Sequence, residues 1–352
     1  MNSSQIATIF KTTLKMNGLS GLKTLFYAYL NLKSEPLKLS TLPIMAQIEP
    51  TLYCNFKCQI CINPVTDREK RHLKLGEFKD ILNGIPSLRK ISLVGAGEPL
   101  LNPDIFEMIL YAKSSRIITG LATNGALLSD HVCAKIKNTG VDWINISIDS
   151  ANKDKFEAIR KGADFQQILD NIKRLVETKG DSSSPDISLW FVVMKDNFNE
   201  LPGVIRLAKE LGIKNVSAQL QHTWGKPLFE SLVSKSGGQI PCLELKNTLR
   251  QAKSIADHEK VLFDYVNIPD SSLNRYCKWP WRACYITADG FVTPCCMHGS
   301  DPRIINFGNI FKEKFDSIWN NALYQNFRQQ LKSKNIPSIC VGCPSYYDKI
   351  KV

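Results

Sequence analysis

The sequence predicts an α/β fold: an open, partial (β/α)6 TIM barrel followed by a small cysteine-rich α+β domain. Three observations carry this. From residue 45, apolar runs of strand length alternate with amphipathic stretches of helix length, the rhythm of parallel strands joined by right-handed crossovers. Near residue 225 that rhythm is expected to stop. Beyond it, six of the 11 cysteines fall between residues 277 and 343, in a tail rich in Trp and Pro.

The elements follow in order. In the first 44 residues Ile6, Ile9, Phe10, Leu14, Leu22, Leu25, Phe26 and Tyr29 recur at three- and four-residue steps, with Lys11, Lys15, Lys23 and Lys33 between them. This is the pattern of a basic amphipathic helix, broken at Asn17-Gly18. Such a helix either lies on a membrane surface or packs against its own domain, and packing is the expectation. Strands are expected at 45–52, 90–95, 118–123, 142–149, 186–194 and 214–220. Helices are expected near 75–84, 103–114, 129–138, 153–160, 165–179 and 199–211, with Ser129 as an N-cap. Six units are too few to close an eight-stranded barrel, so the sheet stays open and its chemistry collects at the carboxyl ends of the strands. The stretch 234–241 reads as a linker, and Asp289-Gly290 as a hairpin turn. The domains are thus an extension over 1–44, a core over 45–233 and an auxiliary domain over 234–352.

Composition bounds the function. Hydrophobic residues make up 43% and charged residues 22% of the 352 positions, an ordinary globular balance. A chain this long needs no disulfide staples and no secretory signal precedes it, so a reduced, cytoplasmic protein that spends its thiols on metal is expected. No uninterrupted apolar run reaches the ~18 residues of a membrane span. The net charge of +12 is dispersed and not interleaved with aromatics, so nucleic acid is not the expected partner.

Cys54, Cys58 and Cys61 follow the first strand directly. Three thiolates on one short loop hold three corners of a [4Fe–4S] cube and leave its fourth iron open, since such clusters ordinarily take four cysteines. A zinc knuckle would want a further ligand, for which His72 is the nearest candidate.

"CNFKCQIC" resembles the CxxxCxxC signature of the radical SAM superfamily. Three more motifs stand at successive strand ends. "GAGEP" (95–99) resembles the GGEP motif of that family, "ATNG" (122–125) its TNG, and "ISIDS" (146–150) ends the fourth strand. The resemblance implies that S-adenosylmethionine (SAM) chelates the open iron through its amino and carboxylate groups. It places Gly95, Gly97 and Glu98 against the methionine ammonium. Asn124 belongs to the same site, Ser147 and Asp149 reach ribose hydroxyls or line the substrate cavity, and Ile60 contacts adenine. Ala96 stands where the family has a second glycine, and Ile60 where many members carry an aromatic residue.

The tail, with "CKWPWRACYITADGFVTPCC" (277–296), "GNIFKEKFDSIWNNALYQNFR" (308–328) and "CVGC" (340–343), resembles the SPASM and twitch extensions of that superfamily. The resemblance implies one auxiliary [4Fe–4S] cluster on Cys277, Cys295, Cys340 and Cys343, with Cys284 and Cys296 as substitutes. Adjacent cysteines in a hairpin face opposite sides, so one of Cys295 and Cys296 ligates; a Zn(Cys)4 site is the alternative. Cys133 and Cys242 read as buried apolar residues, and Trp279, Trp281 and Trp319 as core.

The resemblance implies an enzyme that cleaves SAM reductively to a 5′-deoxyadenosyl radical and takes a hydrogen atom from substrate, an oxidoreductase-type reaction. Its electron donor is of the flavodoxin or ferredoxin type. The 44 residues ahead of the barrel are short for a peptide-recognition domain, so a small molecule such as a sugar or aminocyclitol is the expected substrate. A peptide or protein delivered by a separate partner is the alternative, and the N-terminus allows peripheral membrane contact. A non-enzymatic iron–sulfur or zinc protein is the reading of another class. No spacing singles out a general base.

Overall fold

The computed structural model describes residues 21–221, 242–266, 277–297, 301–333, 335–341 and 343. Seven strands run parallel: β1 (Met45–Ile48), β2 (Lys90–Leu93), β3 (Ile118–Thr123), β4 (Trp143–Ser147), β5 (Asp186–Val193), β6 (Asn215–Leu220) and β7 (Leu262–Val266). β8 (Ala283–Ile286) pairs parallel with β1, Met45 opposite Ala283, and forms an antiparallel hairpin with β9 (Val292–Thr293). The order is β7-β6-β5-β4-β3-β2-β1-β8-β9, an open sheet, and the core is the expected partial barrel.

Helices cross between the strands: α1 (residues 21–34), α2 (Leu75–Gly84), α3 (Ile105–Ser114), α4 (Asp130–Thr139), α5 (Lys153–Ile159), α6 (Phe165–Lys179), α7 (Leu201–Glu210) and α8 (Cys242–Glu259). Two more, α9 (Phe315–Trp319) and α10 (Ala322–Lys332), follow the hairpin. Ser129 caps α4 as its sequence predicts, accepting from Val132 N, and Gly140 closes the helix in the left-handed region (φ 64°). Cys133 is buried in α4.

The strands alternate, as parallel strands covered by helices on one face must. In β2, β4 and β6 one set (Ile91, Leu93, Ile144, Ile146, Val216, Ala218) is fully buried in the main core with the helices. The other set (among them Ser92, Asn145, Ser147, Ser217 and Gln219) is half-buried and faces the concave side.

Two features differ from the sequence expectation. The parallel rhythm runs one unit past residue 225: α8 and β7 continue the sheet beyond β6, after a stretch that lies outside the described residues. The hairpin of the cysteine-rich tail joins the same sheet through β1, a pairing of residues about 240 positions apart that no local pattern announces.

Of the basic N-terminal pattern, residues 1–20 and the break at Asn17-Gly18 lie outside the described residues. The part described packs on its own protein: Leu25 and Ala28 are buried with Ile44 against Met45 and Ile118, while Phe26 and Tyr29 stay exposed. Residues 36–41 are strapped to the tail. Trp281 Nε1 donates to Pro36 O, Arg328 Nη1 to Leu37 O and Trp319 Nε1 to Thr41 O, at 2.9–3.0 Å, and Asn320 exchanges two bonds with Leu39. Trp281 and Trp319 are core residues, as expected, and Trp279 is half-buried. Among the described residues no helix is long and apolar enough to cross a membrane.

Candidate active site

The loop after β1 is pinned on three sides. Lys57 N and Gln59 N donate to Lys161 O and Ile159 O at the end of α5, both at 2.9 Å. Glu98 N donates to Tyr53 O at 2.8 Å, and Cys61 Sγ lies 3.8 Å from Ala96 O. The loop's own amides turn to the sulfurs, Phe56 N to Cys54 Sγ at 3.5 Å and Asn63 N to Cys61 Sγ at 3.4 Å. Ile60 is half-buried on the same loop. Burial pushes all three thiols up, Cys61 to about 12.

Glu98, at the end of β2, is buried with three donors on its carboxylate: Thr123 Oγ1 at 2.7 Å, Asn124 N at 2.8 Å and Leu100 N at 3.2 Å. Burial raises its pKa in spite of those bonds. Asn124 reaches across to the cysteine loop, Nδ2 to Asn55 Oδ1 at 2.7 Å. The ends of β1, β2 and β3 thus converge at the three thiols.

Gly95 and Gly97 are small for the chain's own sake. A Cβ on Gly97 would stand 2.3 Å from Thr51 O, and one on Gly95 would meet Glu49. Glu49, directly after β1, is fully buried and holds four groups. Ala96 N and Tyr285 OH donate to Oε1, and Ala288 N and Arg68 Nη2 to Oε2, at 2.9–3.1 Å. Arg68 also bonds Asp289 at 3.0 Å. One carboxylate therefore ties the GAGEP loop to the turn of the β8–β9 hairpin.

Ser147 ends β4 half-buried beside Trp190 of β5. Asp149 is held by groups of the chain itself. It is fully buried, accepts from Val192 N at 2.9 Å and pairs with Arg160 Nη2 at 2.6 Å. Arg160 in turn faces Cys58, whose thiol it pulls down against the larger effect of burial.

Sequence reasoning missed Glu49, Arg68 and Arg160. For Glu49 the available signal was a charged residue inside an apolar stretch, which a fold tolerates only with partners; Arg160, beside Lys161 in a charged segment, offered none.

In the tail, Cys277, Cys340 and Cys343 lie within electrostatic reach of one another, and Cys296 within reach of Cys277 and Cys343. Burial raises Cys277 to about 11 and Cys296 to about 12. Cys295 is felt by Tyr324, and Cys284 is buried in β8. The side chain of Cys242 lies outside the described residues. Among the described residues no three Cys, His, Asp or Glu side chains are gathered tightly enough to hold a single metal ion.

The comparisons with known proteins fit this arrangement. The family model of the radical SAM superfamily matches residues 48–208, and that of the SPASM iron-sulfur cluster-binding domain residues 277–344. The chain belongs to the radical SAM superfamily. It is an enzyme with a C-terminal SPASM auxiliary domain, and its cofactors are a [4Fe–4S] cluster, SAM and an auxiliary iron–sulfur cluster.

A Pyrococcus furiosus protein, the tungsten-containing aldehyde ferredoxin oxidoreductase cofactor-modifying protein, is 25% identical over 84% of this chain and 86% of its own. The AdoMet-dependent heme synthase of Methanosarcina barkeri is 26% identical over 87% and 93%, respectively. The PqqA peptide cyclase of Gluconobacter oxydans is 26% identical over 86% and 82%. Among solved structures, Streptococcus suis SuiB bound to precursor peptide SuiA shares the fold, with a TM-score of 0.69, 16% identity and coverage of 94% of this chain and 75% of that one.

The residues present fit the first cluster. Three thiols share one loop, and Arg160 Nε is buried beside Cys58 with no acceptor among the described residues, a donor that a sulfide or a carboxylate would satisfy.

Proposed function

We propose that this radical SAM enzyme carries out an oxidoreductase-type reaction on a small, hydroxyl-bearing molecule, sugar- or aminocyclitol-like. Cys54, Cys58 and Cys61 would hold the SAM cluster. Cys277, Cys340, Cys343 and one of the adjacent Cys295 and Cys296 would hold the auxiliary one, Cys296 being the better placed. Residues 45–233 remain the proposed core in this reading, and residues 234–352 the auxiliary domain that lends it β7 and β8.

The observation that carries the substrate class is the lining of the concave face. Ser92, Asn145, Ser147, Ser217 and Gln219 offer uncharged donors and acceptors, and Trp190 offers a flat apolar wall. Such a surface recognises hydroxyl groups by hydrogen bonds and a ring face by stacking.

When bound, the cluster and SAM supply one electron and a primary carbon radical that takes a hydrogen atom. The chain's own residues do the rest. Glu98 would accept a charge-assisted bond from the SAM ammonium. Arg160, held by Asp149, keeps a positive charge beside Cys58. The electron donor is proposed to be of the flavodoxin or ferredoxin type.

A second reading, a peptide substrate, is favoured by the PqqA peptide cyclase among the relatives. One experiment decides. Reconstituted enzyme is reduced with dithionite and given SAM, and deuterated polyols and deuterated peptides are compared for transfer of label into 5′-deoxyadenosine. Label from polyols supports the proposal; label from peptides alone overturns it. No 5′-deoxyadenosine under any condition removes the assignment of the three thiols.

A further inference from the structure

Arg282 lies between the turn Trp279–Trp281 and the start of β8, five residues after Cys277. Its side chain is half-buried, and the partial loss of water draws its pKa below the ordinary arginine value. Among the described residues no carboxylate pairs with it, and its Nε is buried without an acceptor. The acidic group within its electrostatic reach is the Cys277 thiol.

Trp279 repeats the pattern. Its backbone N–H donates to the Cys277 sulfur, while its indole N–H is buried with no acceptor among the described residues. Buried cations are ordinarily paired and buried donors ordinarily satisfied. Here two buried N–H donors, Arg282 Nε and Trp279 Nε1, stand without an acceptor among the described residues, within five positions of the same cysteine. What would satisfy both is negative charge and sulfur acceptors at Cys277.

We propose that Arg282, seconded by the Trp279 indole, is the charge partner of the auxiliary cluster at Cys277 and raises its reduction potential. This rests on the reading that Cys277 ligates that cluster. Reduction adds one negative charge to the cluster, so a nearby cation stabilises the reduced form over the oxidised one. Hydrogen bonds to cluster sulfurs act in the same sense. Arg282 makes no bond to iron; it acts through the field and the hydrogen bonds it supplies.

The test isolates the second site. A chain carrying Cys54→Ala, Cys58→Ala and Cys61→Ala is reconstituted anaerobically, its iron is counted, and its cluster is titrated potentiometrically by EPR. The background should bind about four irons. Adding Arg282→Gln should lower the reduced-to-oxidised ratio at the parent's midpoint at least tenfold, about 59 mV for a one-electron couple. Arg282→Lys should stay within threefold of the parent, and Trp279→Phe should shift the same way by less. Iron lost with Gln but kept with Lys also supports the proposal, because charge then decides binding itself. Unchanged potentials in Arg282→Gln overturn the proposal and leave the ligand reading intact. Iron lost from both Arg282 variants overturns it in favour of packing. A background chain without iron overturns the ligand reading and the proposal together.

Discussion

Glu49 fills the space that a side chain on Gly95 would need: a Cβ built there stands 2.3 Å from Glu49 Cγ. The first glycine of the GAGEP loop is therefore demanded by a carboxylate of the chain itself. The same carboxylate holds the hairpin of the auxiliary domain.

Gly95→Ala should consequently destabilise the cluster-free protein, by about 1–3 kcal/mol for an overpacked buried site. Thermal unfolding without iron or SAM checks this. A variant that unfolds like the parent, and loses only SAM affinity, would mean that the glycine serves the cofactor instead. Glu49→Ala should cost more, about 3–5 kcal/mol, because it strands the buried Arg68 guanidinium away from its stronger partner.

Glu98 gives a pH signature. Burial raises its folded pKa above the ordinary 4.5, so folding favours its protonated form. That contribution is full below about 4.5 and is lost as pH rises through the folded value. Stability of the cluster-free parent should fall across that window relative to Glu98→Gln. The same variant should bind SAM at least tenfold more weakly, the loss of a charge-assisted bond worth about 1.5–3 kcal/mol. Parallel stability curves for the two proteins would rule out the buried-carboxyl account.

The adjacent cysteines should separate cleanly. Cys296→Ser should drop the auxiliary iron, and Cys295→Ser should keep it, because Cys296 senses Cys277 and Cys343. Iron analysis and EPR of both variants read this directly, and the reverse pattern would restore Cys295 as the ligand.

Cluster loading should be steeply pH-dependent. With Cys61 and Cys296 near 12, the empty protein holds these thiols protonated, and each sulfur–iron bond must displace a proton. Loading should strengthen from pH 6.5 to 8.5, with protons released on reconstitution. A flat profile would show the thiols to be ionised beforehand.

Much of this was legible in the sequence because it is local. Strand–helix alternation, the cysteine triplet and the motifs at successive strand ends each sit within a few residues. What escaped is long-range. β8 pairs with β1 across the length of the chain, and nothing in "ACYI" names its neighbour. α8 and β7 were hidden because a polar stretch broke the rhythm before them. Arg160 and Asp149 meet only when α5 folds back over β4, so neither their pairing nor the place of Arg160 beside Cys58 could be read from the spacing. Cys295 and Cys296 lie past the end of β9 in a turn, so the choice between them is set by loop geometry that spacing alone leaves open.

The strap at 36–41 and the pairing of β1 with β8 bear on how the chain is born. A ribosome releases β1 early, but one edge of that strand finds its neighbour only when β8 emerges some 240 residues later. The bonds holding Leu37, Leu39 and Thr41 wait longer still, for Trp319, Asn320 and Arg328. Until then the nascent barrel carries an unpaired edge on the strand that leads into the Cys54–Cys61 loop, a template for unwanted strand addition.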